Sequence, residues 1–246
     1  MKESIQSTYG SRTCAAMMSD TDFPQICVTT LLSKGRHNKL QLHATPFDTV
    51  PRWQLDETVA CGVDYMSFRR ASYTAEDIKH VKDCLENVIE KLNLLQFGLY
   101  FVYDTNLLPT TFTITHEENP EKGPKDLAYA FFPGALPGQR QIVLHRFSFS
   151  PENRDSIFNI LCHEFGHAIG MRHWNAASKE SEPSVHFPPD SDNRLSLMGP
   201  HKHLKDIQFN ENDGMWLKEF YGKENGSFIE GCEIVDFPVT QAVVFM

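Results

Sequence analysis

Apolar positions recur at helical spacing from Ile78 through Val81, Leu85, Val88 and Leu92, which predicts a long amphipathic helix ending near Asn93. Its start is marked by Thr74-Ala75-Glu76-Asp77, a capping-box-like sequence with Asp in the place of Glu or Gln. Before it, residues 59–68 suit a strand, weakened by Gly62. After it, apolar stretches separated by turn residues predict strands over 97–103, 111–115, 127–132 and 141–147, with a polar loop over 116–125. Ser150 followed by Pro151 predicts a helix start, and Ile157, Leu161, Phe165 and Ala168 give that helix a buried face. Residues 174–195 read as a long polar loop with Pro183, Pro188 and Pro189. Asn210-Glu211-Asn212-Asp213 caps a last helix that ends near Tyr221-Gly222. The order strand, helix, strands, helix, helix implies an α+β fold without repeats.

The flanks are less legible. Residues 1–52 carry short apolar patches such as Ile26-Cys27-Val28 and Leu40-Gln41-Leu42 among polar runs. A pro-segment, an N-terminal strand and a partly disordered leader all fit them. Residues 223–246 form a tail with apolar patches at Phe228-Ile229 and Val243-Val244-Phe245. The organisation expected is therefore an N-terminal segment (1–52), a central unit (53–222) and a tail (223–246).

Composition narrows the partners. The 246 residues, 41% hydrophobic and 22% charged, suit a globular chain with one good core. A net charge of −9 leaves no basic excess for phosphates, which argues against nucleic acid. No apolar run reaches membrane-spanning length, and residues 1–8 lack the apolar stretch of a secretory signal. The chain stays inside, leaves by another route, or is shown without its leader; the compartment and any oligomer are open. The six cysteines (Cys14, Cys27, Cys61, Cys84, Cys162, Cys232) are scattered in a chain long enough to need no staples, so mostly free thiols are expected.

The chemistry is concentrated in His163-Glu164-Phe165-Gly166-His167-Ala168-Ile169-Gly170-Met171-Arg172-His173, which reads H-E-x-x-H-x-x-G-x-x-H. On a helix, His163 and His167 share a face and can offer two imidazoles to one metal ion. Gly170 can take a positive φ, ending the helix and letting His173 return as a third ligand. Three protein ligands and an open fourth position suit a catalytic rather than a structural zinc site. Glu164 lies beside the first ligand without being one, and is expected to act as general base toward a metal-activated water.

On this motif the chain resembles the metzincin metallopeptidases. From about Trp53 to Gly222 it is similar to the catalytic domain of the matrix metalloproteinases (matrixins). Leu127-Ala128-Tyr129-Ala130-Phe131-Phe132-Pro133-Gly134 resembles the edge strand that pairs with extended substrate, and Ser196-Leu197-Met198-Gly199-Pro200 resembles the Met-turn. The resemblance implies an α+β fold with a twisted, mostly parallel sheet, an antiparallel edge strand, a long helix and the zinc-binding helix packed on it, and a C-terminal helix. It implies a zinc endopeptidase acting on peptide or protein substrates and suggests an extracellular setting. Met198 would lie beneath the metal, while Leu127, Ala128, Tyr129 and Ala130, with Pro200 and His201 opposite, would bind substrate. An edge strand has unpaired N–H and C=O groups that can hold a peptide extended.

Departures from the pattern limit what carries over. Tyr129 stands where matrixins usually have a histidine for a second zinc, and Arg146, Phe147 and Ser148 replace expected calcium ligands. One catalytic zinc is therefore expected, without structural zinc or calcium, and packing or surface roles are expected for His116 and His145. Twenty-four residues separate His173 from Met198, many more than in matrixins, and Pro200-His201-Lys202 replaces the Pro-x-Tyr wall of the S1′ pocket. Cys61-Gly62-Val63-Asp64 resembles a cysteine-switch core but falls in the first predicted strand, where a core cysteine is the expectation. The rival functional reading is a non-catalytic metzincin-like module that binds peptide without cutting it. An intact Glu164 argues against that.

Overall fold

The apolar repeat after Thr74 becomes a helix in which Ile78, Val81, Cys84, Leu85, Val88, Ile89 and Leu92 are all buried. The Thr74 hydroxyl and the Asp77 carboxylate cap its start reciprocally, and Gln96, in the left-handed region, ends it. The structure is a computed structural model that describes residues 40–104, 110–118, 126–180, 183–187 and 196–239. In chain order it comprises β1 (Leu40–His43), β2 (Thr49–Trp53), β3 (Thr58–Val63), α1 (Tyr65–Arg70), α2 (Ala75–Leu95), β4 (Tyr100–Tyr103), β5 (Phe112–His116), β6 (Ala128–Tyr129) and β7 (Gln141–Leu144). There follow α3 (Ile157–Ala168), β8 (Met171–Arg172), the single turn α4 (Ala176–Lys179), β9 (Ser184–Phe187), α5 (Glu211–Tyr221), β10 (Phe228–Ile229) and β11 (Cys232–Phe237).

The central sheet runs in the order β4-β3-β5-β7-β6. Its first four strands are parallel, and β6 pairs antiparallel with β7 at the edge, Ala128 opposite Leu144 and Tyr129 opposite Val143. Helix α2 packs on β3 and β4, α3 packs on β6 and β7, and the two helices pack on each other. The result is a mixed α+β fold with a mostly parallel central sheet. Phe101, Phe112, Ile142, Ile160 and Phe165 lie in the apolar core between these layers. Among the described residues, no helix is long and apolar enough to cross a membrane.

Two small sheets use the flanks. Strand β1 lies between β8 and β9, and β2 pairs in parallel with β11, whose other edge carries β10. Residues on both sides of 53–222 thus form strands. The Arg52 guanidinium fastens this corner, donating to Asp236 Oδ1 (2.6 Å) and to the carbonyls of Phe220, Tyr221 and Lys223 (2.7, 2.9 and 2.7 Å). Those carbonyls lie at the end of α5, where helix groups lack internal partners.

Several predicted boundaries are corrected. The strand expected over 59–68 stops at Val63, because the Asp64 side chain accepts from the Met66 and Ser67 amides and starts α1. The strand before β5 begins only at Tyr100, and that expected over 127–132 shrinks to β6. The strand after them ends at Leu144 and gives way to a 3-10 turn over Arg146–Phe149. The helix expected to begin at Ser150-Pro151 begins at Ile157. The Ser150 carbonyl instead closes a turn with the Asn153 and Arg154 amides, and Asn153 Nδ2 donates to Ser150 Oγ. The polar stretch after His173 is not all loop, since it contains α4 and β9. Cys61, Cys84, Cys162 and Cys232 are free thiols, while Cys14 and Cys27 lie outside the described residues.

Candidate metal centre

His163 and His167 stand one turn apart on α3, and both are buried. Gly170, at φ 99°, turns the chain so that His173, directly after β8, comes back to meet them. The three rings lie with centroids 5.0, 5.2 and 4.8 Å apart, and each offers one nitrogen within 4.8 Å of the others. The Nε2 atoms of His163 and His173 face each other at 3.1 Å. Zinc bonds of about 2.0–2.1 Å in a tetrahedron set ligand nitrogens about 3.3 Å apart, close to that separation. Two neutral rings turning lone pairs to one point repel unless a proton or cation lies between them.

The other ring nitrogens fix the orientation. His167 Nδ1 donates to the Met171 carbonyl (2.9 Å), which leaves its buried Nε2 without a hydrogen-bond partner among the described residues. His173 Nδ1 meets Glu180 Oε1 at 2.5 Å, the carboxylate-histidine pairing that orients a metal ligand. Burial, reinforced by the neighbouring imidazoles, drives His163 well below its ordinary pKa and His167 to about 3. The Leu197 backbone pulls His163 the other way. Neutral imidazole is the form a metal requires, so the donor set fits such an ion. Glu164, next to His163, is fully buried on the same helix.

The turn at Met198, closed by Gly199 N to Ser196 O (2.9 Å), packs against α3. Met198 is buried, and a side chain on Gly166 would put its Cβ 2.7 Å from the Met198 sulfur, so α3 and this turn pack at close range. Asp213, near the start of α5, accepts from Ser196 Oγ (2.8 Å), Leu197 N (3.1 Å) and Asn210 N (3.1 Å), while Ser196 Oγ accepts from Met198 N. The carbonyls ending α3 are taken up by Trp53 Nε1 at Ala168 (2.8 Å) and by Tyr221 Oη at Ile169 (3.1 Å).

Burial raises the Asp213 pKa from 3.8 to about 6, against the pull of its Ser196, Leu197 and Asn210 hydrogen bonds. The folded value exceeds the unfolded one, so this group's contribution is fully present below pH 3.8 and is lost as pH rises through about 6. The unfolding free energy of the wild type minus that of Asp213→Asn should therefore fall by about 2–3 kcal/mol from pH 4 to pH 8. Urea titrations of both proteins across that range measure it. A flat difference would mean that the hydrogen bonds, not burial, govern the carboxyl.

The remaining predicted positions separate into distinct settings. Ala128 and Tyr129 form β6 on the sheet edge, flanked by buried Leu127, whose carbonyl accepts from His145 N, and by half-buried Ala130. Tyr129 Oη donates to Glu117 (2.8 Å), and its ring lies 5.5 Å from that of His145. His145 Nδ1 meets the Glu117 carbonyl, and His116 Nδ1 meets that of Leu144, with His116 packed among Phe68, Tyr73 and Phe149. Arg146 pairs with Glu118. Pro200 follows the Met198 turn, and His201 Nε2 bonds back to its Ser196 and Leu197 carbonyls (3.0 and 3.2 Å). Cys61 is enclosed within β3, its thiol toward the Val102 carbonyl (3.6 Å), and burial pushes its pKa up.

Sequence reasoning missed Glu180, Arg172, Trp53, Tyr221 and Asp213 as supports of the site. The Asp213 capping box was readable, but its reach to the Met198 turn was not. Phe132 also belongs here, stacked on His43 (4.1 Å) and edge-on to His167 (5.3 Å).

No protein family and no curated protein matches the chain. Among solved structures it is similar to one titled "Structure of myroilysin", with 13% sequence identity and a TM-score of 0.43, covering 75% of this chain and 99% of that one. At that level the likeness does not bear on the chemistry, which rests on the residues above.

Proposed function

We propose that this protein is a zinc-dependent endopeptidase of metzincin type. The observation that carries the reading is the convergence of three buried imidazoles on one point, with Glu164 buried beside the first of them. His163, His167 and His173 would hold the ion. A zinc ion held there would supply Lewis acidity, lowering the pKa of a water toward neutrality and polarising a carbonyl. Glu164 takes the proton of the attacking water and returns it to the amine nitrogen as the C–N bond breaks. No covalent acyl-enzyme forms. The peptide would lie extended along the outer edge of β6, bonded through its main chain to the 127–130 segment, with Pro200 and His201 on the side opposite.

The test combines elemental analysis with cleavage of an unfolded protein. One zinc per chain is expected, with hydrolysis lost to a strong chelator and restored by stoichiometric zinc. Hydrolysis that survives complete metal removal would refute the reading.

A further inference from the structure

One polar side chain that is not a ligand bonds the third imidazole, and two more hold that side chain or the stretch that carries it. The Glu180 carboxylate takes His173 Nδ1 on one oxygen and the Arg172 guanidinium on the other. The Arg172 side chain is fully enclosed, lying 5.2 Å from the Phe132 ring, with Nη1 beside His43 Nδ1. Buried Gln41, in β1, reaches the same loop. Its Nε2 donates to the Trp174 carbonyl (2.5 Å), and its Oε1 accepts from Ala177 N (2.8 Å) and Ser184 Oγ (2.9 Å). One amide thus ties both ends of the stretch that carries Glu180, using its donor and its acceptor together.

The chemistry of this frame is specific. A carboxylate at Nδ1 keeps the ring proton there and turns the Nε2 lone pair toward the other two imidazoles. A carboxylate held by one bond can pivot, whereas a guanidinium on its second oxygen fixes its plane. Strand β1 makes the frame possible, because it lies between β8 and β9 with Gln41 opposite both Arg172 and His186, and His43 N bonds to Gly170 O at the turn.

We propose that Glu180 is a positioning residue for His173, held in place by Arg172 and Gln41, so that β1 is an integral part of the metal centre and not a dispensable leader. The inference rests on the metal-binding reading of the three histidines, not on peptide hydrolysis. It makes Glu180, in the stretch after the third ligand, a support of that ligand.

The experiment uses the full chain and the variants Glu180→Ala, Glu180→Gln and Gln41→Ala. Zinc affinity is measured by competition with a chromogenic chelator, well below each variant's melting temperature, beside the visible spectrum of the cobalt-saturated protein. Glu180→Ala is expected to bind zinc about 10- to 100-fold more weakly and to shift the cobalt bands. Glu180→Gln, which keeps an acceptor for Nδ1, should lose less, and Gln41→Ala should lose several-fold. If Glu180→Ala does not fold, the Glu180→Gln affinity and spectrum decide. A role in folding alone would lower the metal-free melting temperature yet leave affinity and cobalt spectrum unchanged, and that result overturns the proposal. A wild type without tight zinc overturns it together with the metal reading. A wild type that binds zinc with this Glu180 dependence but cuts no peptide supports it and removes only the peptidase reading.

Discussion

Glu164→Gln is expected to lower peptide hydrolysis by about 10²–10⁴-fold, the usual contribution of a positioned general base, while zinc stays at one per chain. Glutamine matches glutamate in shape and occupies the same enclosed place on α3, so the helix and its imidazoles should persist. What it lacks is a basic oxygen to take the proton of water and pass it to the leaving amine. Single-turnover hydrolysis of a fluorogenic peptide, with metal analysis of the same samples, separates the two properties. Full activity in the variant would remove Glu164 from the mechanism, and lost zinc would show that it serves the metal instead.

The second large effect falls on stability. Arg52 is buried, bonded to Asp236 and to three carbonyls, and its guanidinium lies 5.7 and 5.8 Å from the Phe220 and Tyr221 rings. Arg52→Met keeps most of the apolar stem but removes the guanidinium from the part-buried Asp236 carboxylate and from the three carbonyls, of which Phe220 O keeps the Lys223 amide. Removing one partner of a buried ion pair costs about 3–5 kcal/mol, and although Asp236 is only part-buried, the buried Arg52 also loses three carbonyl bonds, so a similar cost is expected. For a chain of this size that is a drop of about 6–20 °C in melting temperature. A calorimetric loss below about 1 kcal/mol would mean that water replaces the guanidinium at little cost.

How much of this was legible depends on the kind of signal each part carries. Helix α2 was read closely because one face is apolar and the other is not, so Ile78 to Leu92 could be placed by period alone. Helix α3 is buried nearly all round, so periodicity could not set its start; its ligand spacing could be read because chemistry fixes it. The third ligand's return depended on one glycine, and Gly170 takes the positive φ expected of it. Strands β1 and β9 alternate polar and apolar over four residues each, too short to stand out from loop. Asp64 was a helix cap hidden within an apolar run. Glu180 and Gln41 have no spacing that marks them, since their partners are distant in sequence or set by a fold that the sequence pattern did not reveal.

The parallel pairing of β2 with β11 has a bearing on biosynthesis. Arg52 and its partner Asp236 are 184 positions apart, and Trp53 at the end of β2 also holds the last turn of α3. Closing so long a loop is slow compared with forming local helices. At about 5–20 residues per second, a ribosome needs about 10–40 s between the two strands. During that interval the ligand helix can form, but the corner that steadies its end cannot. If the proposed function holds, a tight zinc site, and with it the capacity to cut a neighbouring nascent chain, should therefore arise only after β11 has left the exit tunnel.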